Sequence, residues 1–303
     1  MSDLALIRAW CEQARPIFIC GLARSGTSML QVAFARHTEM FNIKNCRETF
    51  VFLRPRQGMT DPVHVPTKLY LRGREGLVGF RKQVRALQKT EGEMSDADVI
   101  RTFFWYAGNV TYPGRQPLEK TPGHLRKLPL IFKLFPNARI IVCSRDPVDV
   151  AASYRKRLNK DIADGKPGAA DSWLNKSPQQ MMEVFQKFNA LVDEARPKYG
   201  KQMFMAPYEW LVEDPGGALQ QLCDFAGMRF EPAMLTRTDD EVVDDSDGED
   251  AAEYLSRKTS SSKTGITKRE SDAQTVLSPE DIAYLTEGSR DWVEFWRTPA
   301  VLV

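Results

Sequence analysis

The sequence is poor in the residues that metal and redox chemistry need. Its 303 residues include three histidines, His37, His64 and His124, and five cysteines. Cys11, Cys20, Cys46, Cys143 and Cys223 form an odd set with no C-x-x-C spacing. That disfavours a zinc site and a disulfide framework, and a reducing cytoplasm is the expected setting. Long apolar runs are also missing. None approaches the roughly 20 residues of a membrane-spanning helix, so no membrane span is expected. Met1 to Arg15 carries Asp3 and Glu12 and no long apolar core, which argues against a signal peptide. No aromatic–basic recognition module stands out, so no nucleic-acid partner is expected.

Net charge is nearly absent as well, at +2 from 42 Lys and Arg against 40 Asp and Glu. The balance hides an uneven distribution. Residues 239–250 hold eight carboxylates and no base, and removing those eight charges leaves +10 on the rest. Within the run, Asp245-Ser-Asp-Gly248 lacks the third acidic ligand and the distal Glu of a calcium loop, so no metal is expected there. A hydrophobic content of 42% with 27% charged residues fits a globular chain with a sizeable core.

The pattern of elements favours an α/β fold with a central, mostly parallel β-sheet flanked by helices. Pro16-Ile-Phe-Ile-Cys20 reads as a strand, Gly21 to Gly26 as a loop, and Thr27 to His37 as a helix. Ala138 to Ser144 reads as a buried strand, Arg145-Asp-Pro147 as a turn, and Val148 to Leu158 as a helix. Lys68 to Thr90 is basic and helical in pattern. Ser95-Asp-Ala-Asp98 resembles a capping box before a helix through Tyr106. Thr121-Pro122 starts a helical stretch to Phe135, which Pro129 should kink unless it lies in the first turn of a second helix. Phe204 to Tyr208 looks like a late strand, and Asp214-Pro215 opens a helix to Ala226 closed by Gly227. In such a sheet the ligand sits at the strand C-terminal ends.

Gly21-x-x-x-x-Gly26-Thr27-Ser28 has the frame of a P-loop, G-x-x-x-x-G-K-[ST]. Glycines there let backbone N–H groups converge on an anion, and the helix N-terminus adds positive potential. Thr27 stands where nucleotide-hydrolysing enzymes place Lys, while Arg24 inside the loop supplies charge. The best second strand ends in Ser144-Arg145-Asp146 rather than in a clear metal-binding Asp. A kinase or other NTPase, which would bind ATP with Mg²⁺, remains the alternative enzyme. A non-catalytic nucleotide-binding protein is a third reading.

Pro16 to Leu30 resembles the 5′-phosphosulfate-binding loop of sulfotransferases, which use 3′-phosphoadenosine 5′-phosphosulfate (PAPS) as sulfuryl donor. Arg139 to Tyr154 resembles the family's 3′-phosphate signature, in which an Arg ends the strand and a Ser follows eight positions later. Here these are Arg145 and Ser153, at most about 11 Å apart along a helix axis. Glu119-Lys-Thr-Pro-Gly-His124, Tyr208-Glu-Trp-Leu-Val-Glu-Asp-Pro215 with the stretch to Gly227, and Leu277 to Ile282 resemble further family segments. The resemblance implies a P-loop-NTPase-like sulfotransferase architecture, a single domain over residues 1–303, and sulfuryl transfer to a hydroxyl or amine.

It also implies site residues. Arg24, Ser25, Gly26, Thr27 and Ser28 would hold the 5′-phosphosulfate, Arg145 and Ser153 the 3′-phosphate, and Tyr208 would pack near adenine or in the core. Lys120 would stabilise the leaving phosphate oxygen. Either Glu48 or His124 would be the base, with Glu48 preferred because Phe41, Phe50 and Phe52 can bury it. Lys263, Lys268 and Arg269, in the basic segment 256–269, would close over the 3′-phosphate, with the acidic run competing for them when the donor is absent. The acceptor is a small molecule, saccharide or peptide. The basic surface of Arg72–Lys89 would suit an acidic one. Phe103 to Tyr106 would line an apolar pocket or lie in the core.

Overall fold

The strand that opens the sheet, β1 (Ile17–Gly21), is five residues with four fully buried positions, as expected for a strand covered on both faces. The computed structural model describes residues 2–41, 48–49, 51–52, 71–236, 266 and 271–303. Within these, β2 (Leu118–Lys120), β3 (Arg139–Ser144), β4 (Met203–Pro207) and β5 (Ala300–Val301) complete a sheet of order β2-β1-β3-β4-β5. The first four strands run parallel and β5 pairs antiparallel with β4. The expected α/β class is therefore observed.

The register fixes where ligands can be held. Ile19 pairs with Lys120, Gly21 with Cys143, and Ser144 with Pro207. The strand C-termini therefore lie side by side, and the chain leaves them at Leu22, Thr121, Arg145 and Tyr208. The order reverses direction at β1, which has β2 on one flank and β3 on the other. The crevice of such an open sheet lies at this reversal.

The helices cover both faces: α1 (Asp3–Gln13), α2 (Thr27–Ala35), α3 (Arg74–Glu91), α4 (Asp96–Tyr106), α5 (Leu128–Leu134), α6 (Pro147–Ala163), α7 (Pro178–Tyr199), α8 (Tyr208–Glu213), α9 (Pro215–Ala226), α10 (Ala273–Val276) and α11 (Pro279–Arg297). The kink expected at Pro129 is a break. Pro122–Lys127 is a 3₁₀ turn, and Pro129 sits in the first turn of α5, where its missing N–H costs nothing. Phe103 and Phe104 are fully buried. Phe18, Phe52, Phe104 and Phe135 form edge-to-face and stacked contacts at 5.1–6.2 Å, so Phe103 and Phe104 belong to the core and not to a pocket.

Ser95 caps α4, but Asp98 is one methylene too short to reach back as a capping-box Glu would. It turns toward α1 instead. Asp98 takes a two-pronged bond from Arg8 at 2.9 and 2.8 Å, another from Arg101 at 3.2 Å, and the Ser95 hydroxyl at 2.8 Å. These contacts tie α1 to α4. The hydrogen bond from Arg8 is the main cause holding the Asp98 carboxyl below the ordinary carboxylate range. A lowered native pKa stabilises the fold above the unfolded value of about 3.9, and that contribution is lost as pH falls through the native value. Asp98→Ala is therefore expected to cost about 2 kcal/mol in urea unfolding at pH 7 and to flatten the stability loss below about pH 4. An unchanged midpoint would show that the contact contributes nothing.

Candidate active site

The loop after β1 is shaped by backbone contact. Gly21 has φ +124°, and a Cβ there would fall 2.1 Å from the Cys143 carbonyl oxygen. Gly26 has φ +86° and lies under Tyr208, whose Cδ2 would be 2.9 Å from an added Cβ. Ser25 is buried, and its hydroxyl is directed at the Leu22 and Cys143 carbonyls at 2.6 and 3.2 Å. Its side chain thus clamps the loop onto the end of β3. Arg24 is exposed with φ 72°, a left-handed conformation that costs a non-glycine residue about 1 kcal/mol or more.

Thr27 and Ser28 form the first turn of α2, Thr27 buried and Ser28 half-buried. This helix has Gly26 at its N-cap and no side-chain cap. By contrast Ser95, Asp146, Ser177, Asp214 and Ser278 cap α4, α6, α7, α9 and α11. Among the described residues no side chain caps the N-terminus of α2, the place where an anion would be held.

The end of β3 faces this loop. Arg24 Nε donates to Ser153 Oγ at 3.1 Å, so the two expected donor-binding segments touch across the β1–β3 crevice. Arg145 lies with its guanidinium carbon 4.2 Å from the centre of the Tyr208 ring. Its Nη2 reaches Asp149 at 3.4 Å, and its buried Nε has no hydrogen-bonding partner among the described residues. Tyr208 thus packs against both Gly26 and Arg145.

The chain beyond the expected basic lid also reaches this helix. Ser271 donates to Asp149, and Lys156 bonds Asp272 at 2.6 Å. Ile266 packs against the same apolar cluster as Met29 and Trp210. Lys263, Lys268, Arg269 and the acidic run 239–250 lie outside the described residues, as do Phe50, Lys44 and Arg47.

Beside the loop, strand alternation sends Glu119 and Lys120 to opposite faces of β2. Lys120 is fully buried and donates to Glu48 Oε1 at 3.0 Å; the Glu48 side chain is 27% exposed. Among the described residues, Glu48 is paired with Lys120. Glu119 faces the core and accepts from His124 Nδ1 at 2.7 Å, Thr121 Oγ1 at 2.6 Å and Thr49 Oγ1 at 2.8 Å. Burial would raise its pKa, but His124 and the two hydroxyls outweigh that and hold it low.

His124 is fully buried. Its Nε2 accepts the Phe52 N–H at 3.4 Å and its ring edge packs on Phe52. Both ring nitrogens are engaged, Nδ1 with Glu119 and Nε2 with the Phe52 N–H. With Glu119 it fixes residues 49 and 52, and so the position of Glu48.

Two residues with no expected role appear in the same region. Asp149 links Arg145 to Ser271, and Glu209 accepts the Asp146 N–H at 2.9 Å. Asp149 follows Arg145 at helical spacing, and Glu209 follows Tyr208 directly, so both signals were in the sequence. Among the described cysteines, thiolate chemistry is disfavoured. Burial pushes the Cys11, Cys143 and Cys223 thiols up to about 12, and Cys20 is raised also. No group of three or more possible metal ligands occurs among the described residues.

The tightness of the loop has a measurable consequence. Gly21→Ala must either move the β3 backbone or abandon the left-handed turn, and is expected to cost about 3 kcal/mol of stability. Thermal unfolding of this variant measures it, and a loss below about 0.5 kcal/mol would contradict the contact.

Comparison with known proteins supplies the family. The sulfotransferase family model matches residues 16–232. The sulfotransferase domain of the curacin biosynthetic pathway superposes with a TM-score of 0.61 at 20% identity, covering 90% of this chain and 96% of that one. The sulfotransferase domain of the Synechococcus PCC 7002 olefin synthase gives 0.57 at 21%, covering 90% and 94%. Sulfotransferase STF9 from Mycobacterium avium gives 0.51 at 14%, covering 97% and 82%. At these identities the likeness is one of fold. No curated protein matches in sequence. With most of the chain matched by the family model, and with the family's fold around a glycine-bounded anion loop, this protein belongs to the sulfotransferase family.

Proposed function

We propose that the protein transfers a sulfuryl group from PAPS to a hydroxyl or amine of an acceptor by in-line displacement. The observation that carries this reading is the pair of cationic groups, Arg24 and Arg145, on the two sides of one crevice. Two separated anionic ends of a single donor match it better than the contiguous charge of a triphosphate. The fit rests on the uncapped start of α2 for the 5′ end and on the partnerless Nε of Arg145 for the 3′ end. The donor supplies the electrophilic sulfur and a phosphate leaving group.

Each residue then has a task. The first-turn N–H groups of α2 and Arg24 hold the 5′ end, and Ser153 steers Arg24. Arg145 and Ser153 hold the 3′-phosphate, and Tyr208 keeps Arg145 in place by stacking. Lys263, Lys268 and Arg269 close over it from the segment that ends at Ser271. Glu48 takes the proton of the acceptor as its oxygen or nitrogen bonds to sulfur. Lys120 exchanges Glu48 for the phosphate oxygen that departs as the S–O bond breaks, so the same move strengthens the base and neutralises the leaving group. His124 and Glu119 keep Glu48 in reach. The setting is cytoplasmic and the acceptor a small molecule, saccharide or peptide. The exposed cations of α3, Arg74, Arg81, Lys82, Arg85 and Lys89, favour an acidic one.

Calorimetric titration without metal separates this reading from an NTPase. Adenosine 3′,5′-bisphosphate is expected to bind and ATP to bind at least tenfold more weakly; the reverse order would contradict the proposal. Glu48→Gln is expected to lower single-turnover sulfuryl transfer by about 10²-fold or more with bisphosphate affinity unchanged. If Glu48→Gln transfers normally, the base is elsewhere.

A further inference from the structure

The turn that presents Arg145 is braced more heavily than a solvent turn requires. Ser144 Oγ donates to the Trp296 carbonyl at 2.6 Å. Arg297 donates to Asp146 Oδ2 at 2.6 Å, while Asp146 Oδ1 caps α6 through the Val148 and Asp149 N–H groups. Glu209, the residue after Tyr208, takes the Asp146 N–H on Oε1 at 2.9 Å. Its other oxygen, Oε2, is buried without a hydrogen-bonding partner among the described residues, as is Arg145 Nε. An unfilled acceptor and an unfilled donor thus lie on residues that meet at one turn. Leaving either unpaired costs about 1–3 kcal/mol.

A carboxylate serving only the start of the short helix α8 would gain more by facing water. Glu209 instead lies in a site where burial raises its pKa and the Asp146 charge adds to the rise, with the Asp146 N–H, its own backbone N–H and the Arg145 charge opposing it.

We propose that Glu209 is a positioning residue for the donor's 3′-phosphate. It anchors the Arg145–Asp146 turn through the Asp146 N–H and so holds the backbone from which Arg145 extends. The guanidinium, its Nε included, then faces the anion when it displaces Asp149. Tyr208 and Glu209 act as one clamp: the ring fixes the plane of the guanidinium, and the carboxylate fixes the turn that carries it. A planar, multi-donor cation held this way recognises a phosphate by direction as well as by charge. The inference rests on the donor-site reading above.

The test compares adenosine 3′,5′-bisphosphate with adenosine 5′-monophosphate by calorimetry, in the full-length protein and in Glu209→Gln and Glu209→Ala. The wild type is expected to prefer the bisphosphate. Glu209→Ala is expected to weaken bisphosphate binding about tenfold or more and monophosphate binding less than twofold. Glu209→Gln keeps an acceptor for the Asp146 N–H, folds as the wild type does, and loses an intermediate amount. In an Arg145→Ala background, Glu209→Ala adds nothing. Equal losses for both nucleotides would mark Glu209 as merely structural and overturn the inference. Tighter bisphosphate binding in either variant would also overturn it, since it would mean the carboxylate only repels the phosphate. A wild type without preference would sink the donor-site reading and this inference with it, whereas an intact preference that survives both substitutions overturns the inference alone.

Discussion

The backbone of Gly21 lies so close to the Cys143 carbonyl that no side chain fits between them, and the site is built outward from that contact. It locks the end of β1 against β3. With that lock, the parallel register brings the residues that leave each strand to one edge. Arg24 comes from β1, Arg145 from β3, Tyr208 from β4, and Lys120 ends β2. The cations are therefore gathered at one edge of the sheet. Such preorganisation matters for a group transfer in which the protein mainly positions and stabilises charge.

The cost of this arrangement is buried charge, and the fold meets it locally. Lys120 is fully buried, yet its ammonium is matched by Glu48. Glu119, on the opposite face of the same short strand, is matched by His124 and two threonines. A buried pair stripped of one partner costs about 3–5 kcal/mol, so each member holds the other in place. The two pairs are mechanically joined, because Glu119 and His124 grip residues 49 and 52 beside Glu48. His124, the other candidate base, is fully buried with both ring nitrogens engaged, whereas the Glu48 side chain is partly exposed.

Much of this was legible from residue type and spacing. The glycine-bounded loop, the strand ending at Ser144 and the helix carrying Ser153 follow from hydrophobic runs and turn chemistry. Boundaries moved by a few residues: α2 stops at Ala35, short of His37, and α3 begins at Arg74, well after Lys68. β2 was not legible, because three residues reading Leu-Glu-Lys carry no strand period and owe their extension to pairing with β1. The 22-residue helix α7 was not among the expected elements, although Ser177 and Gln180 form a capping box at its start; Pro197 within it breaks the pattern. The Lys120–Glu48 and Arg24–Ser153 contacts join residues 72 and 129 positions apart, which no local rule can pair. Glu209 was visible in the sequence only as part of the segment Tyr208 to Pro215; its bond to the Asp146 N–H, 63 positions away, is what distinguishes it.

The central claim is that one crevice holds two separate anions of one nucleotide, the first at the start of α2 and the second at Arg145. A crystal structure with adenosine 3′,5′-bisphosphate, grown without divalent metal, tests it most directly. The account predicts the 5′-phosphate against the first-turn N–H groups of α2 and the 3′-phosphate on Arg145 and Ser153, with the Arg145–Asp149 contact broken. A nucleotide bound with its 3′-phosphate away from Arg145, or with that contact intact, would contradict it.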